Sequence, residues 1–287
     1  MKLALGTAQF GLKYGIANNA GRVPADEARK IVLEAAQRGM DVLDTAIAYG
    51  DSENVLGEIG VSGWRVVSKL PAAPEHCNVF DWVAAQVEGS LRRLKAPRLY
   101  AILLHQPQQL FGPRGHEVIK ALQHAKAIGR AEKIGLSIYS ADEFAPLFDE
   151  GGIDIVQAPL SLLDRRLVTS GWAGRLRLAG IELHVRSIFL QGLLLMPKAQ
   201  MPEEIRRWGH IWDEWERWRK EKGLTPLAAC LRYALSIPEI DKVIVGVDSV
   251  AQLQEIFAAA EGEAPGLPNW PDSVDIGLIN PTLWCAL

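Results

Sequence analysis

The sequence predicts an α/β fold, a (β/α)8 TIM barrel formed as a single domain by residues 1–287. Short apolar runs alternate with amphipathic helical stretches, and this unit of strand, loop and helix occurs eight times. No change in composition marks a linker between domains, and the chain length suits an eight-unit barrel. An open, doubly wound sheet is the alternative, but no Gly-x-Gly-x-x-Gly turn follows the first strand.

The expected strands are short apolar runs that lead into a polar residue or a glycine. Runs of this kind are typical of parallel strands that are covered on both faces. In chain order, we expect strands at Leu3–Thr7, Asp41–Asp44, Arg65–Lys69, Leu99–Leu104, Ala131–Leu136, Ile153–Val156, Ile181–Val185 and Lys242–Val245.

Helices are indicated between the strands by apolar residues at helical spacing, with proline or glycine at the ends. The first runs from Pro24 to Gly39 and carries Ala28, Ile31 and Val32 on one face. The others are expected from Asp51 through Glu58, around Val83–Leu94, around Val118–Ala125, at Asp142–Phe148, Leu167–Leu178 and Pro226–Leu235, and from Ser249 to about Ala260.

Composition and charge favour a small-molecule enzyme of a reducing compartment. Apolar residues make up 48% of the chain, and the net charge of −3 gives no broad basic field, so neither nucleic acid nor a membrane is an expected partner. The three cysteines have neither disulfide nor metal-ligand spacing. The first residues are typical of a strand and not of a signal peptide, so a cytoplasmic protein is expected. No stretch indicates a particular oligomeric state.

Four residues are expected to meet at one end of the barrel. Asp44, Lys69 and His105 follow strands two, three and four, and Tyr49 lies in the second loop. In a barrel of parallel strands, the residues that end different strands become neighbours at the C-terminal face. Each has an ordinary interpretation when taken alone, as a turn cap, a solvated rim lysine, a core histidine or a packing aromatic.

Together the four residues can form a proton-donating group. A free phenol has a pKa of about 10, and a nearby ammonium favours the phenolate, so Lys69 is expected to make the Tyr49 hydroxyl more acidic. Asp44 supplies the counter-charge that keeps Lys69 charged when it is buried. His105 is expected to hydrogen-bond a substrate oxygen and direct it towards Tyr49.

These residues give the chain its resemblance to the aldo-keto reductases. The family's tetrad of aspartate, tyrosine, lysine and histidine is matched by Asp44, Tyr49, Lys69 and His105, within Leu43-Asp44-Thr45-Ala46, Ala48-Tyr49-Gly50, Ser68-Lys69-Leu70 and Leu104-His105-Gln106-Pro107. The resemblance implies reversible reduction of a carbonyl substrate: hydride passes from C4 of a reduced nicotinamide to the carbonyl carbon, and Tyr49 protonates the oxygen. His105 and Tyr49, with Phe10 and Tyr14 from the first loop, are the expected substrate contacts.

The resemblance also implies where the nicotinamide cofactor binds. Gly135-Leu136-Ser137 and Gln157 are similar to the family's carboxamide site, although Ile138 replaces an asparagine and Arg186 replaces a stacking tyrosine. Arg186 can stack its guanidinium plane or contact a phosphate. The implied cofactor-binding residues are Gly6, Thr7, Asp44, Ser137, Gln157, Arg186, Ser187, Phe189, Gly192, Gly246, Gln252 and Glu255.

The family usually prefers NADPH, so NADP(H) is the expected cofactor, but departures near the chain end leave NAD(H) open. No Lys or Arg follows Lys242 to bind a 2′-phosphate, and Asp248 would repel one. Ile256 replaces the family's adenine-binding asparagine.

Two other features concern the ends of the barrel. The first strand begins almost at Met1, so the N-terminal hairpin that plugs the barrel in many relatives is expected to be absent, with other side chains filling that end. Four tryptophans recur at helical spacing, and this spacing favours a helix that packs against the barrel over one that forms a substrate lid. They are Trp208, Trp212, Trp215 and Trp218. Trp270 or Trp284, near the C-terminus, can line the pocket.

Two other functional hypotheses remain open on the sequence. The first is a catalytically weak barrel of the same family that senses or binds the cofactor. It is suggested by the imperfect adenosine site and by the tryptophan stripe, that is, Trp208, Trp212, Trp215 and Trp218. The second is a lyase that uses Lys69 as a Schiff-base amine, which borohydride trapping of Lys69 would reveal. No metal site is expected, since His116 and His124 lie on a helix away from the active face.

Overall fold

In a computed structural model of the protein, eight parallel strands close into a barrel in sequence order, and the predicted (β/α)8 fold is confirmed. The structure describes residues 1–18, 20–140, 144–148, 151–270 and 274–286. The strands β1 to β8 run, in order, over Leu3–Gly6, Val42–Asp44, Arg65–Leu70, Leu99–Leu104, Ala131–Ser137, Ile155–Pro159, Glu182–Arg186 and Lys242–Gly246.

Helices cover the outside of the barrel and lie between successive strands. The helices α1 to α12 span Ala8–Gly11, Ala25–Gln37, Ser52–Ile59, Val79–Leu94, Gly115–Ala127, Ala145–Phe148, Arg166–Thr169, Trp172–Leu178, Gly209–Glu221, Pro226–Ser236, Val250–Ala260 and Ile276–Ile279. Short 3-10 turns occupy Pro107–Phe111, Leu190–Leu195, Lys198–Gln200, Glu203–Trp208 and Pro281–Ala286. Within the described ranges, no helix has the length and apolar content of a membrane span.

Three elements differ most from the prediction. Strand β6 begins at Ile155, where its pairing with β5 starts, and continues past Gln157, which is therefore a strand residue. The single helix expected at Leu167–Leu178 is two helices, α7 and α8, because Gly171 between them has a φ of 79°. Helix α6 begins at Ala145; residues 141–143 of the helix expected at Asp142–Phe148 lie outside the described residues.

The alternation of side chains along the strands determines which residues face the barrel interior. Small apolar residues, among them Ala4, Val42, Val67 and Ile155, form a separate buried cluster. Because strand side chains alternate, Asp44, Lys69 and Gln157 point to the same face as Val42, Val67 and Ile155, two positions nearer the C-terminal end. Polar residues therefore close the barrel at that end.

Charged and aromatic side chains lie at the opposite, N-terminal end of the barrel. The Glu182 carboxylate accepts hydrogen bonds from the Tyr100 hydroxyl at 2.6 Å and from the Lys133 ammonium. His184 contributes its Nε2 to the same carboxylate at 2.7 Å. The Arg65 guanidinium and the Lys133 ammonium lie 5.0 and 4.9 Å from the centre of the Tyr100 ring.

The tryptophan stripe packs into the core, which favours the packing interpretation over the lid. Trp208, Trp212, Trp215 and Trp218 are all buried. Trp215 stacks on Trp218 with ring centres 5.7 Å apart, and lies 5.8 Å from Trp270. Trp270 thus packs against α9 instead of lining the pocket, and Trp284 donates its indole N–H to the Leu278 carbonyl.

Because Trp212 is only 1% exposed, we expect Trp212→Ala to lower the free energy of unfolding by about 3–5 kcal/mol through the cavity it leaves. Chemical denaturation monitored by circular dichroism measures this change. The control Leu178→Ala, at a position 90% exposed, should stay within about 0.5 kcal/mol of the parent protein. A Trp212→Ala protein as stable as this control would contradict the packing assignment.

Candidate active site

A fully buried ion pair lies at the C-terminal end of the barrel. The Lys69 ammonium donates to both Asp44 oxygens, at 2.8 and 2.7 Å, and to the Thr45 carbonyl at 2.8 Å. All three of its protons therefore have acceptors. Burial lowers the pKa of Lys69, and the adjacent Asp44 carboxylate opposes this shift. The predicted counter-charge for Lys69 is present in the geometry.

Tyr49 lies above this pair, in contact with His105. The two rings meet edge to face with centres 5.8 Å apart, and Lys69 Nζ is 5.1 Å from the centre of the phenol ring. Three of the four residues expected to converge thus approach one another closely, and Asp44 joins them through Lys69.

The acidity of Tyr49 differs from the sequence-based expectation. Burial raises the pKa of the Tyr49 hydroxyl, and the Asp44 carboxylate raises it further; the cation that opposes them is Arg186, not Lys69. The physical reason is that the phenolate would lose its hydration in this buried position and would also face the negative charge of Asp44. The hydroxyl consequently stays protonated at neutral pH, which is the form that can donate a proton.

His105 is neutral near physiological pH. Burial lowers the pKa of its imidazole to about 4, and the positive charges of Lys69 and Arg186 add to the shift. A neutral imidazole has one N–H donor and one acceptor nitrogen, so it can hydrogen-bond a carbonyl oxygen without transferring a proton.

Gln157 offers an unused acceptor beneath the site. Its Nε2 donates to Asp44 Oδ1 at 2.6 Å, while its buried Oε1 has no hydrogen-bond partner among the described residues. In the pairing of β5 with β6, Gln157 lies opposite Ser137, which is also buried. An orphaned buried carbonyl is costly, so this oxygen fits a ligand that brings an amide N–H₂ group.

A cavity of about 410 Å³ extends from Tyr49 to the start of α11. Of the residues that the sequence predicts for the site, those that line it are Gly6, Thr7, Tyr14, Asp44, Tyr49, Arg186, Ser187, Phe189, Gly192, Gly246, Gln252 and Glu255. Lys69, His105, Ser137 and Gln157 are not among the lining residues; Lys69 and Gln157 join the site through Asp44, and His105 joins it through Tyr49.

Phe10 is a correction to the predicted substrate contacts. Its side chain is 0% exposed and belongs to the hydrophobic core, because α1 begins directly after β1 and turns this residue inward. Conversely, the sequence-based prediction lacks several cavity residues, among them Gln9, Asn18, Pro226 and Leu227. The position of Gln9 and Asn18 after the C-terminal end of the first strand was the available signal for them.

The loop after β7 carries the least regular backbone of the cavity. Ser187, Leu190 and Gln191 have φ of 63°, 50° and 54°, in the left-handed region that non-glycine residues seldom adopt. Arg186, at the start of this loop, lies with its guanidinium carbon 4.5 Å from the centre of the Tyr139 ring and donates to the Ile138 carbonyl at 3.1 Å. No described carboxylate forms an ion pair with it, so its positive charge is available to the cavity.

The low pKa of His105 has a consequence for stability. An unfolded histidine titrates near 6.5 and the folded one near 4, so the unfolded state binds more protons between these values. We therefore expect stability to decrease as the pH falls from about 6.5 to 4. Proton NMR of the imidazole should give a midpoint near 4, with His105→Gln assigning the signal. A midpoint near the ordinary histidine pKa of 6.5 would contradict the buried, positively charged environment of His105.

The buried pair should be coupled energetically. Lys69→Met leaves Asp44 charged and without its main partner, so we expect a loss of about 3–5 kcal/mol in the free energy of unfolding. The double variant Asp44→Asn/Lys69→Met should be more stable than this single variant, since it leaves no unpaired buried charge. Urea denaturation of the parent protein, the two single variants Asp44→Asn and Lys69→Met, and the double variant gives the coupling energy. Additive changes in the free energy of unfolding would contradict a coupled pair.

Comparisons with known proteins agree with this geometry. The model of the aldo/keto reductase family matches residues 2–264. Aflatoxin B1 aldehyde reductase member 2 of Rattus norvegicus is 27% identical over 296 residues, covering 88% of this chain and 80% of the relative. L-galactose dehydrogenase of Arabidopsis thaliana is 28% identical over 273 residues, covering 86% of this chain and 82% of the relative.

Solved structures support the same fold. An aldo-keto reductase from Bacillus halodurans, in its holo form, superposes with a TM-score of 0.74 at 20% identity. The superposition covers 97% of this chain and 95% of the solved one. The family match over nearly the whole chain and the similar curated reductases lead to one conclusion: the chain belongs to the aldo/keto reductase family of NAD(P)H-dependent oxidoreductases.

Proposed function

We propose that this protein reduces an aldehyde or ketone to an alcohol, with Tyr49 as the proton donor. The observation that carries the proposal is the position of Tyr49, which lines the cavity directly above the buried pair of Lys69 and Asp44. The phenol is protonated at neutral pH, as a general acid must be before it acts.

Each of the four polar residues then has a separate role. Tyr49 gives its hydroxyl proton to the substrate oxygen as negative charge develops there. Neutral His105, at the edge of the Tyr49 ring, donates a hydrogen bond that orients the same oxygen. Lys69 and Asp44 hold the floor of the site in a fixed geometry, while burial and the Asp44 carboxylate keep the phenol protonated.

The residues present fit a nicotinamide dinucleotide. When bound, the reduced nicotinamide supplies the hydride that adds to the carbonyl carbon. The orphaned Gln157 Oε1 and the neighbouring Ser137 would hold its carboxamide group, and Arg186 would lie beside its ring or its phosphates. The glycines Gly6, Gly192 and Gly246 line the cavity without side chains and leave room for the rest of the cofactor.

The names of the relatives support a carbonyl substrate without naming one. One relative is named as an aldehyde reductase and another as a dehydrogenase of the sugar L-galactose. Tyr14, which is 38% exposed at the cavity edge, is the proposed contact for the remainder of the substrate.

The two alternative functions are less consistent with the geometry. A Schiff-base amine must be accessible and deprotonated, whereas Lys69 is 0% exposed and donates all three protons. A cofactor-binding subunit gains no support from the tryptophan stripe, because those side chains are buried in the core and offer no partner surface.

The proposed role of Tyr49 has a direct test. We expect Tyr49→Phe to lower kcat for carbonyl reduction by about 10²–10⁴-fold, because the substrate oxygen loses its proton donor. Dinucleotide affinity, measured by quenching of tryptophan fluorescence, should remain within about twofold, since the ring stays in place. Rates come from the decay of cofactor absorbance with a panel of aldehydes and ketones.

A matched control is Tyr233→Phe, which removes a hydroxyl from a buried tyrosine of α10 outside the cavity lining. This variant should keep the parent rate. Turnover by Tyr49→Phe at the level of this control would rule out Tyr49 as the proton donor.

A further inference from the structure

We propose that this protein selects NAD(H) over NADP(H), with Asp248 as the discriminating residue. The inference rests on the proposed function and concerns the end of the cavity opposite Tyr49. The two cofactors differ only at the adenosine ribose, where NADP(H) has a 2′-phosphate and NAD(H) has a hydroxyl. In the proposed function the nicotinamide lies at the Tyr49 end of the cavity, so the adenosine half is left with the end lined by Asp248, Gln252 and Glu255.

The charge of that end is the first observation. Arg186 is the one cation among the described residues that line the cavity, and it lies at the Tyr49 end, on Tyr139 and Ile138. Asp248 and Glu255 are carboxylates at the α11 end. The sequence has no Lys or Arg after Lys242, so neither the β8 loop nor α11 provides a cation. A doubly charged phosphate would meet these like charges with no cation among the described lining residues at that end.

The Asp248 carboxylate is held in position with one oxygen unused. Asn18 Nδ2 donates to Asp248 Oδ1 at 3.2 Å, and Asn18 is itself fixed by two hydrogen bonds to the backbone of Gly21. Among the described residues, none donates to the other oxygen of Asp248. This oxygen is an acceptor for a ribose 2′-hydroxyl, the group that an acidic residue binds in NAD-selective sites.

The start of α11 is already occupied by the protein's own groups. A helix N-terminus ordinarily binds phosphate through its free amides. Here the Val250 amide donates to the Glu27 carboxylate at 2.9 Å, and the Gln252 amide donates to the Ser249 hydroxyl at 3.2 Å. The Val250 amide also lowers the pKa of Glu27, so this carboxylate remains charged. A 2′-phosphate would have to displace Glu27 to use the Val250 amide.

Separate titrations of the protein with NADH and with NADPH test the proposal through binding alone. Quenching of tryptophan fluorescence gives each Kd without turnover. We expect NADH to bind at least about tenfold more tightly than NADPH at low ionic strength, with a smaller ratio at high salt. NADPH binding as tightly as NADH, or more tightly, would overturn the selectivity while leaving the proposed function intact. Binding of neither cofactor would instead contradict the proposed function itself.

Variants assign the selectivity to residues. Asp248→Asn retains an acceptor for the 2′-hydroxyl but removes the charge, so NADPH should bind about five- to tenfold more tightly while NADH changes by less than about threefold. Glu27→Ala, which frees the Val250 amide, should also strengthen NADPH binding. The control Glu132→Gln removes an exposed carboxylate of β5 outside the cavity and should leave both affinities unchanged. Equal effects of Asp248→Asn and this control on NADPH affinity would overturn the role of Asp248.

Discussion

The buried ion pair between Lys69 and Asp44 is the interaction on which the rest of the site depends. Two charges inside a barrel are tolerated only when their hydrogen-bonding capacity is used, and here the Thr45 carbonyl and the Gln157 amide complete the set. The pair and its partners join β2, β3 and β6 across the barrel mouth. Tyr49 and His105 meet above it, so the geometry of the reacting groups follows from that of the pair.

The two ends of the barrel use polar residues for different purposes. At the N-terminal end, Glu182 accepts from Tyr100, Lys133 and His184 within a compact network of charged and aromatic groups. At the C-terminal end, Gln157 Oε1 has no hydrogen-bond partner among the described residues, and none of their carboxylates forms an ion pair with Arg186. An unsatisfied buried carbonyl is costly to a folded protein, so Gln157 is suited to a ligand that supplies a hydrogen-bond donor.

Charge is distributed unevenly along the cavity, and this distribution connects the chemistry with the choice of cofactor. At one end lie a protonated Tyr49, with neutral His105 against its ring, and the cation Arg186. At the other end lie the carboxylates Asp248 and Glu255, beside which we propose that the adenosine half binds. In the proposed function, proton transfer at Tyr49 and cofactor selection at Asp248 therefore depend on opposite ends of one cavity.

The sequence by itself determined the eight units of the barrel and the convergence of Asp44, Tyr49, Lys69 and His105. The alternation of strands and helices can be recognised along the chain, and eight parallel strands in sequence order close into a barrel that brings the strand ends together. Several features were decided by tertiary structure alone. Phe10 turned out to be a core residue, the tryptophan stripe packed inward, and the pKa of Tyr49 rose instead of falling. Burial and the net field at an atom depend on neighbours from distant parts of the chain. A pattern read along one segment therefore identifies the reacting groups but not their exposure or protonation.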